Sequence, residues 1–479
     1  MNILSSRKFI NSILFIIIAH TAVYAQETID PVRKYPSLIL SKSSMNGSRE
    51  AQAFSNGVDE NALFSSQEIV AETTGIVDAK IIEEEKKTVN FSGEVTAASQ
   101  YTLSRDKDAK DNSLASLVYA NFFLDARLKK GTKYFANLEL LNNASGSNNN
   151  DNDFLLSFRE SFIDFNIKNT AYFRTGKQVI QWGRCYLWNP SDVINVEKKP
   201  FIKKIGYREG TYGMKIHVPF GTKYNIYSFI DTKDAKDIDE PGLAFKYEFI
   251  LKKTEMAFSA WGKKGFKPVY AYDFSARISG IDTVGEAAFS RADIAERLKE
   301  ENGILSKFRE GNKWIPRASI NFGRQFDFMD ISDRISVNME FYYNRSGYKE
   351  NLFGDAQTYT FAQPVTVYDS SGVPVVKTSG TKKDFLLDNN LYQANYHSRY
   401  YAALFTSVRK FIISDLTLTL NLIGNLNDKS SILTTGVTYT DINDFSLGFN
   451  VYSYLGHSNR EYTYLNDLLA ARVTIGVVF

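Results

Sequence analysis

The residues best suited to act on a solute lie between Tyr172 and Arg208. Gly176-Lys177-Gln178 closes an alternating stretch, Trp182-Gly183-Arg184 follows, and Trp188-Asn189-Pro190-Ser191-Asp192-Val193-Ile194-Asn195 comes next. The segment sets Arg184, Lys198, Lys199, Lys203, Lys204 and Arg208 against Asp192 and Glu197. A basic loop folded into a water-filled passage attracts anions, because low-dielectric walls focus its field. Asn189 before Pro190 fits an N-cap followed by proline at the first helical position, which predicts a short helix within the loop. Two tryptophans in one loop need cover for their rings and a partner for each indole N–H.

A second set of charges falls at alternate positions of extended stretches. Asp125, Arg127, Arg174, Lys246, Glu248, Arg334, Glu340, Arg399 and Arg472 all belong to polar faces. Facing one lumen, both signs together would set up a transverse field that sorts solutes by charge and shape. The plainer alternative is that they pair with one another and only keep a wall wet and rigid. Covalent chemistry finds less support. The four histidines, His20, His217, His397 and His457, are scattered, and a nucleophile needs a base beside it. Gly456-His457-Ser458 lacks the strand–turn–helix setting of a nucleophile elbow. One cysteine and no paired histidines offer no transition-metal cluster. The run Asp231, Asp234, Asp237, Asp239 and Glu240 would hold calcium only weakly. No catalytic residue, metal or cofactor is predicted.

Composition narrows the class. Of 479 residues, 14% are aromatic, and apart from the N-terminus no apolar run is long enough to cross a bilayer as a helix. The single cysteine, Cys185, excludes an intrachain disulfide framework. A formal charge of +3, with no basic helix and no dense basic–aromatic run, gives no sign of nucleic-acid binding.

From Thr88 onward the pattern has period two, which predicts strands with one apolar face. Leu243, Phe245, Tyr247, Phe249 and Leu251 alternate with Lys246 and Glu248; Leu416, Leu418, Leu420 and Leu422 alternate with Thr417, Thr419 and Asn421. Ile335 to Tyr343 and Phe445 to Val451 repeat the design. Phe154 to Lys168 changes phase near Glu160, which predicts a bulge or a misread boundary. Connections are of two kinds. Short turns fall at Lys130 to Thr132, Lys168 to Thr170, Pro219 to Gly221, Lys252 to Thr254, Ser279-Gly280, Phe411 to Asp415 and Asp441 to Asp444. Long polar loops alternate with them, at Ser104 to Ser113, Asn142 to Asp153, Gln181 to Gly206, Asp231 to Gly242, Arg291 to Lys313 and Gly347 to Leu391. Short turns on one side and long loops on the other are the asymmetry of a transmembrane barrel. A propeller would show a repeated blade motif, and sandwich strands are shorter than the ~9–11 residues that cross a bilayer at a tilt. The fold class is therefore all-β: an antiparallel transmembrane barrel of about eighteen strands, with sixteen as the alternative because Phe266 to Ala292 is weakly patterned. In such a wall Trp182 and Trp188 belong in the lumen or at the membrane interface.

The N-terminus reads separately. Arg7-Lys8, the apolar run Phe9 to Ala19 and Val23-Tyr24-Ala25 predict a signal peptide over 1–25, with Gln26 as the first mature residue. Residues 26–87, rich in Ser, Asn, Glu and Ala, predict a periplasmic tail, either disordered or forming a short helix near Asn61 to Ala71 that plugs the pore. Residues 88–479 form the barrel.

Two resemblances give the pattern a family. The final stretch, Ala471, Val473, Ile475, Val477 and Phe479 on one face with Arg472, Thr474 and Gly476 on the other, resembles the closing strand of bacterial outer-membrane barrels, whose assembly machinery reads a terminal aromatic. The run Gly176, Lys177, Gln178, Trp182, Gly183, then Asn189, Pro190, Asp192 and Asn195, resembles a signature of outer-membrane porins, including those grouped near alginate-export-like proteins. That resemblance implies a large barrel with a charged lumen; the alginate exporter is an eighteen-stranded, cation-lined pore. The expectation is a channel for small hydrophilic solutes, preferentially anionic. Its constriction and selectivity are expected from Arg174, Arg184, Lys198, Lys199, Lys203, Lys204, Arg208, Lys246, Glu248, Arg334, Glu340 and Arg399. The implied surroundings are outer-membrane lipid and the assembly machinery, with monomer or homotrimer left open. Two other classes compete: a polysaccharide-export channel, and an adhesin working through Gly347 to Leu391.

Overall fold

The computed structural model describes residues 88–105, 112–128, 131–143, 154–192, 194, 210–221, 223–233, 235–237, 240–293, 295–368, 373–442 and 445–479. The signal peptide and tail predicted for 1–87 lie outside the described residues, as do Asn195, Lys198, Lys199, Lys203, Lys204 and Arg208.

The first eleven strands are β1 (Thr88–Ser104), β2 (Ser113–Arg127), β3 (Lys133–Asn143), β4 (Phe154–Ile167), β5 (Ala171–Gln178), β6 (Thr211–Phe220), β7 (Tyr224–Asp231), β8 (Gly242–Leu251), β9 (Thr254–Gly262), β10 (Val269–Ile278) and β11 (Ile281–Ser290). A small hairpin follows, β12 (Arg297–Glu301) and β13 (Ile304–Phe308), then β14 (Ile315–Phe328) and β15 (Ile331–Asn344). After β16 (Tyr359–Tyr368), β17 (Pro374–Gly380) and helix α1 (Lys382–Asp388), the chain returns through β18 (Tyr400–Val408), β19 (Leu416–Asn425), β20 (Ser430–Ile442), β21 (Phe445–Leu455) and β22 (Asp467–Val478). Eighteen of these strands form one sheet, and the pairing of β1 with β22 closes it. The weakly patterned region is two full wall strands, β10 and β11, so the larger of the two strand counts holds.

Alternation sorts the side chains as the sequence requires. Leu243, Phe245, Met339, Phe341, Val473 and Ile475 are exposed on the outer face, while Ala244, Lys246, Glu340, Ala470 and Arg472 are buried on the inner one. A closed sheet pairs its backbone groups strand to strand and leaves no open edge, which a lipid-facing wall demands. The seam is sealed at the terminus. Gly93 and Phe479 exchange two main-chain hydrogen bonds, at 2.8 and 3.0 Å, and the Phe479 ring packs beside Phe91 and Phe122. A Cβ on Gly93 would lie 2.6 Å from Phe479 Cζ, so glycine here makes room for the terminal ring.

The phase change in β4 is a bulge. Asn137 faces Glu160 while Leu138 faces Phe158, so Arg159 is the extra residue. The tight turns use left-handed residues such as Lys168, Asn169, Lys252 and Ser279. One further tight turn, Met329-Asp330, carries no glycine and keeps its apolar neighbours, which hides it in the sequence.

Two of the long polar loops are not plain loops. β12, β13, β16 and β17 form a four-stranded sheet, with β13 and β16 parallel. With α1 it encloses Leu298, Leu305, Phe361, Phe385 and Leu386. Lys382, on α1, pairs with Glu300 at 2.8 Å and Asp355 at 2.9 Å. This unit caps the loop side of the wall between β11 and β18.

Candidate functional site

The chain leaving β5 turns into the barrel. Ile180 and Trp182 pack with Phe229, Ala244, Trp261 and Ala271 from strands β7 to β10. A few residues on, Trp188 packs with Tyr342, Tyr401, Ile423, Ile432 and Tyr452 from strands β15 to β21. The segment therefore bridges two separate arcs of the inner wall. Trp188 is fully buried, stacks on Tyr342 at 5.5 Å and donates its indole N–H to the Asn395 carbonyl at 2.9 Å. Burying a side chain of that size contributes about 4–6 kcal/mol by area. Gly183 is required by the fold-back, since a Cβ there would lie 2.3 Å from Asn189 Cβ.

Two carboxylates hold the main chain of this segment. Glu340 accepts the N–H groups of Tyr186 and Leu187 at 2.9 Å each and of Trp188 at 2.6 Å. Glu286 accepts those of Arg184 and Cys185 at 2.5 Å and of Ser191 at 3.1 Å, together with the Ser191 hydroxyl at 2.7 Å. Main-chain donors with no sheet partner are thus satisfied by charged acceptors, the stronger kind of hydrogen bond. Glu340 was legible as an inward charge; Glu286, equally central, was missed because Gly285-Glu286-Ala287-Ala288 lacks a clean alternation.

The helix predicted at Asn189 does not start there. Asn189-Pro190-Ser191-Asp192 makes a β-turn, closed by the Asp192 N–H on the Asn189 carbonyl at 3.1 Å. The Asn189 side-chain amide donates to the Cys185 carbonyl and to Glu286, which ties the turn back onto the segment and the wall.

The cations around the segment are paired rather than open. The Arg184 guanidinium meets Asp273 at 2.5 Å and also pairs with Glu248 and Glu255. Lys246 donates to the Trp182 carbonyl at 2.8 Å and lies 3.4 Å from Asp273. Five carboxylates, of Glu248, Glu255, Asp273, Glu286 and Glu340, here surround two cations, Arg184 and Lys246. Trp182, Gly183, Arg184, Trp188, Asn189, Pro190 and Asp192 are thus brought together with Lys246, Glu248 and Glu340.

Other sequence-predicted residues stand apart. Arg174 is 2% exposed, bidentate with Asp164 at 2.7 and 3.0 Å, and lies over the Phe162 ring. Arg334 sits near the turn end of β15, donating to the Arg409 and Lys410 carbonyls. Arg399 lies at the opposite, loop-side end, just before β18. Alternation gives the face a residue occupies but not its height along the wall. Among the described residues no group of three metal-ligating side chains forms.

An even-numbered antiparallel wall, closed on itself, apolar outside and polar within, is the architecture of the bacterial outer membrane. The chain is an outer-membrane β-barrel. The barrel is similar in fold to Acinetobacter baumannii OccAB1, at 10% identity and TM-score 0.48, over 83% of this chain and 99% of that one. It is similar also to Pseudomonas aeruginosa OccK8 (OprE), at 8% identity and TM-score 0.49, over 82% of this chain and 98% of that one. A mutant of Rh. blastica porin is matched at 8% identity and TM-score 0.40, over 82% and 100%. No protein-family model and no curated protein matches the chain.

Proposed function

We propose that the barrel is a porin: a passive, non-catalytic channel that admits small hydrophilic solutes and filters them by size and charge. The observation that carries this reading is the segment Ile180 to Asp192, which enters a closed barrel of eighteen strands and is fixed there by Glu286 and Glu340. A barrel of this strand number encloses an aqueous lumen, and an inserted segment narrows it. No energy source is implied.

Charge preference follows from two opposed contributions. The described constriction is acidic, with five carboxylates around two cations. The basic run Lys198, Lys199, Lys203, Lys204 and Arg208 continues the same loop and acts in the opposite sense. The reading is a weak preference for anionic solutes, carried by the basic run alone. Purified protein in a planar bilayer should conduct, with a reversal potential slightly on the anion side. Replacing Lys198, Lys199, Lys203 and Lys204 by Glu should make the pore clearly cation-selective. A barrel that inserts without conducting sinks the channel reading; an unchanged reversal potential removes the basic run from the pore.

A further inference from the structure

The loop-side cap contains a cavity of about 250 Å³ between the β12–β13 hairpin, the C-terminus of α1 and the segment leading to β18. Its wall includes Arg297, Tyr348, Asn390, Gln393, Tyr396 and His397. We propose that this cavity is a binding site for a neutral, hydroxyl-rich ligand of the size of one sugar ring, distinct from the constriction.

Three observations support the assignment. First, His397 is 5% exposed, and neither ring nitrogen has a partner among the described residues. Its ring is enclosed by Tyr348 at 4.8 Å, Phe353 at 5.1 Å and Tyr392 at 5.6 Å. A buried polar group without a partner is costly, and a ligand hydroxyl, directly or through one water, is the chemistry it lacks. Burial and the neighbouring Arg297 push the imidazole down to about 3, so it stays neutral, with one donor and one acceptor.

Second, the arginines at the cavity already have carboxylate partners. Arg297 pairs with Asp293 at 2.7 Å, and Arg309 lies 3.9 Å from Glu296. An anion would have to displace Asp293, which Arg317 also holds at 2.6 Å, and a cation would meet arginines, whereas a neutral ligand disturbs neither pair. Third, the wall includes the aromatic residues Tyr348 and Tyr396 together with the amide residues Asn390 and Gln393. Aromatic surface suits the apolar face of a sugar ring, and amides give donors and acceptors to its rim.

The test is calorimetric titration of the full-length protein in detergent with D-glucose, sodium D-glucuronate and D-glucosamine. Glucose should bind saturably with a dissociation constant of roughly 1 mM, the scale for a ligand with so few atoms. Glucuronate and glucosamine should bind at least about tenfold more weakly. Gln393→Ala and Asn390→Ala, both on exposed positions, should each weaken glucose about fivefold to tenfold, the loss of one hydrogen bond. His397→Phe should abolish it. The idea is overturned by no glucose heat up to about 100 mM, by equal affinity for the charged analogues, or by binding that survives both amide variants. Because the readout is binding in solution, it stands or falls separately from conductance.

Discussion

The Glu340 carboxylate, on the barrel wall, accepts the main-chain N–H of Trp188 at 2.6 Å. Backbone donors of a non-helical segment inside a barrel have few other acceptors, so this contact and its two neighbours fix how far the segment reaches into the lumen.

Removing that acceptor should free the segment. Glu340→Ala strands three N–H groups and should cost on the order of 3–5 kcal/mol of docking. Single-channel recording should show larger, noisier openings than the wild type. Glu340→Gln keeps an acceptor oxygen and should fall between. Identical conductance in Glu340→Ala would mean that the segment does not limit flow.

Arg184 makes the opposite case. Its removal leaves Asp273, which is buried, with Lys246 as its remaining cationic partner among the described residues, and exposes Glu248 and Glu255. Arg184→Gln should shift the reversal potential toward cations and lower thermal stability, since breaking a buried pair costs about 3–5 kcal/mol. A shift toward anions would contradict the placement.

Glu461 predicts a pH dependence of the outer loops. It is 1% exposed and accepts the Tyr401 hydroxyl and the Asn425 amide at 2.7 Å and the Asn395 N–H at 2.9 Å, tying loop 456–466 to two wall strands. Burial, with the nearby Asp428 carboxylate adding, pushes it up to about 8 against the donors that favour its anion. The docked loop therefore binds the proton more tightly than a free glutamate does. Docking is strongest below the ordinary value of 4.5 and weakens as pH rises from there through about 8. Hydrogen exchange of residues 456–466, corrected for intrinsic rates, should show easier opening at pH 9 than at pH 6. Glu461→Gln should flatten the trend; a trend of reversed sign rules the account out.

The terminal seam should be sensitive from both sides. Phe479→Ala removes the ring that packs on Phe91 and Phe122, and Gly93→Leu fills its seat. Both should slow closure, seen as less heat-modifiable folded band on gels after timed refolding into vesicles. Wild-type folding of Gly93→Leu would show that the ring has room elsewhere.

Much of the wall was readable in the chain because period two survives wherever one face meets lipid. Leu416 to Leu422 and Leu243 to Leu251 gave both strand and facing, and the slip near Glu160 gave the bulge at Arg159. The cap was missed, although its signals are present. Asn302-Gly303, both left-handed, mark the β12–β13 hairpin, and Thr381 with Asp384 forms a capping box opening α1. They were masked by polar composition, which a small sheet separate from the wall tolerates. The constriction was half legible. Trp182 and Trp188 pointed to burial, but which carboxylates meet the segment depends on closure of strands 64 to 154 residues away, and no local pattern encodes that.

Thr88 pairs with Arg127 at the turn-side rim, the same rim where Phe479 ends. Both flanks of the barrel thus open onto one compartment. Epitope tags placed just before Thr88 or fused after Phe479 should stay hidden from antibody on intact cells, whereas one inserted at Leu426 to Lys429, on the opposite rim, should be stained.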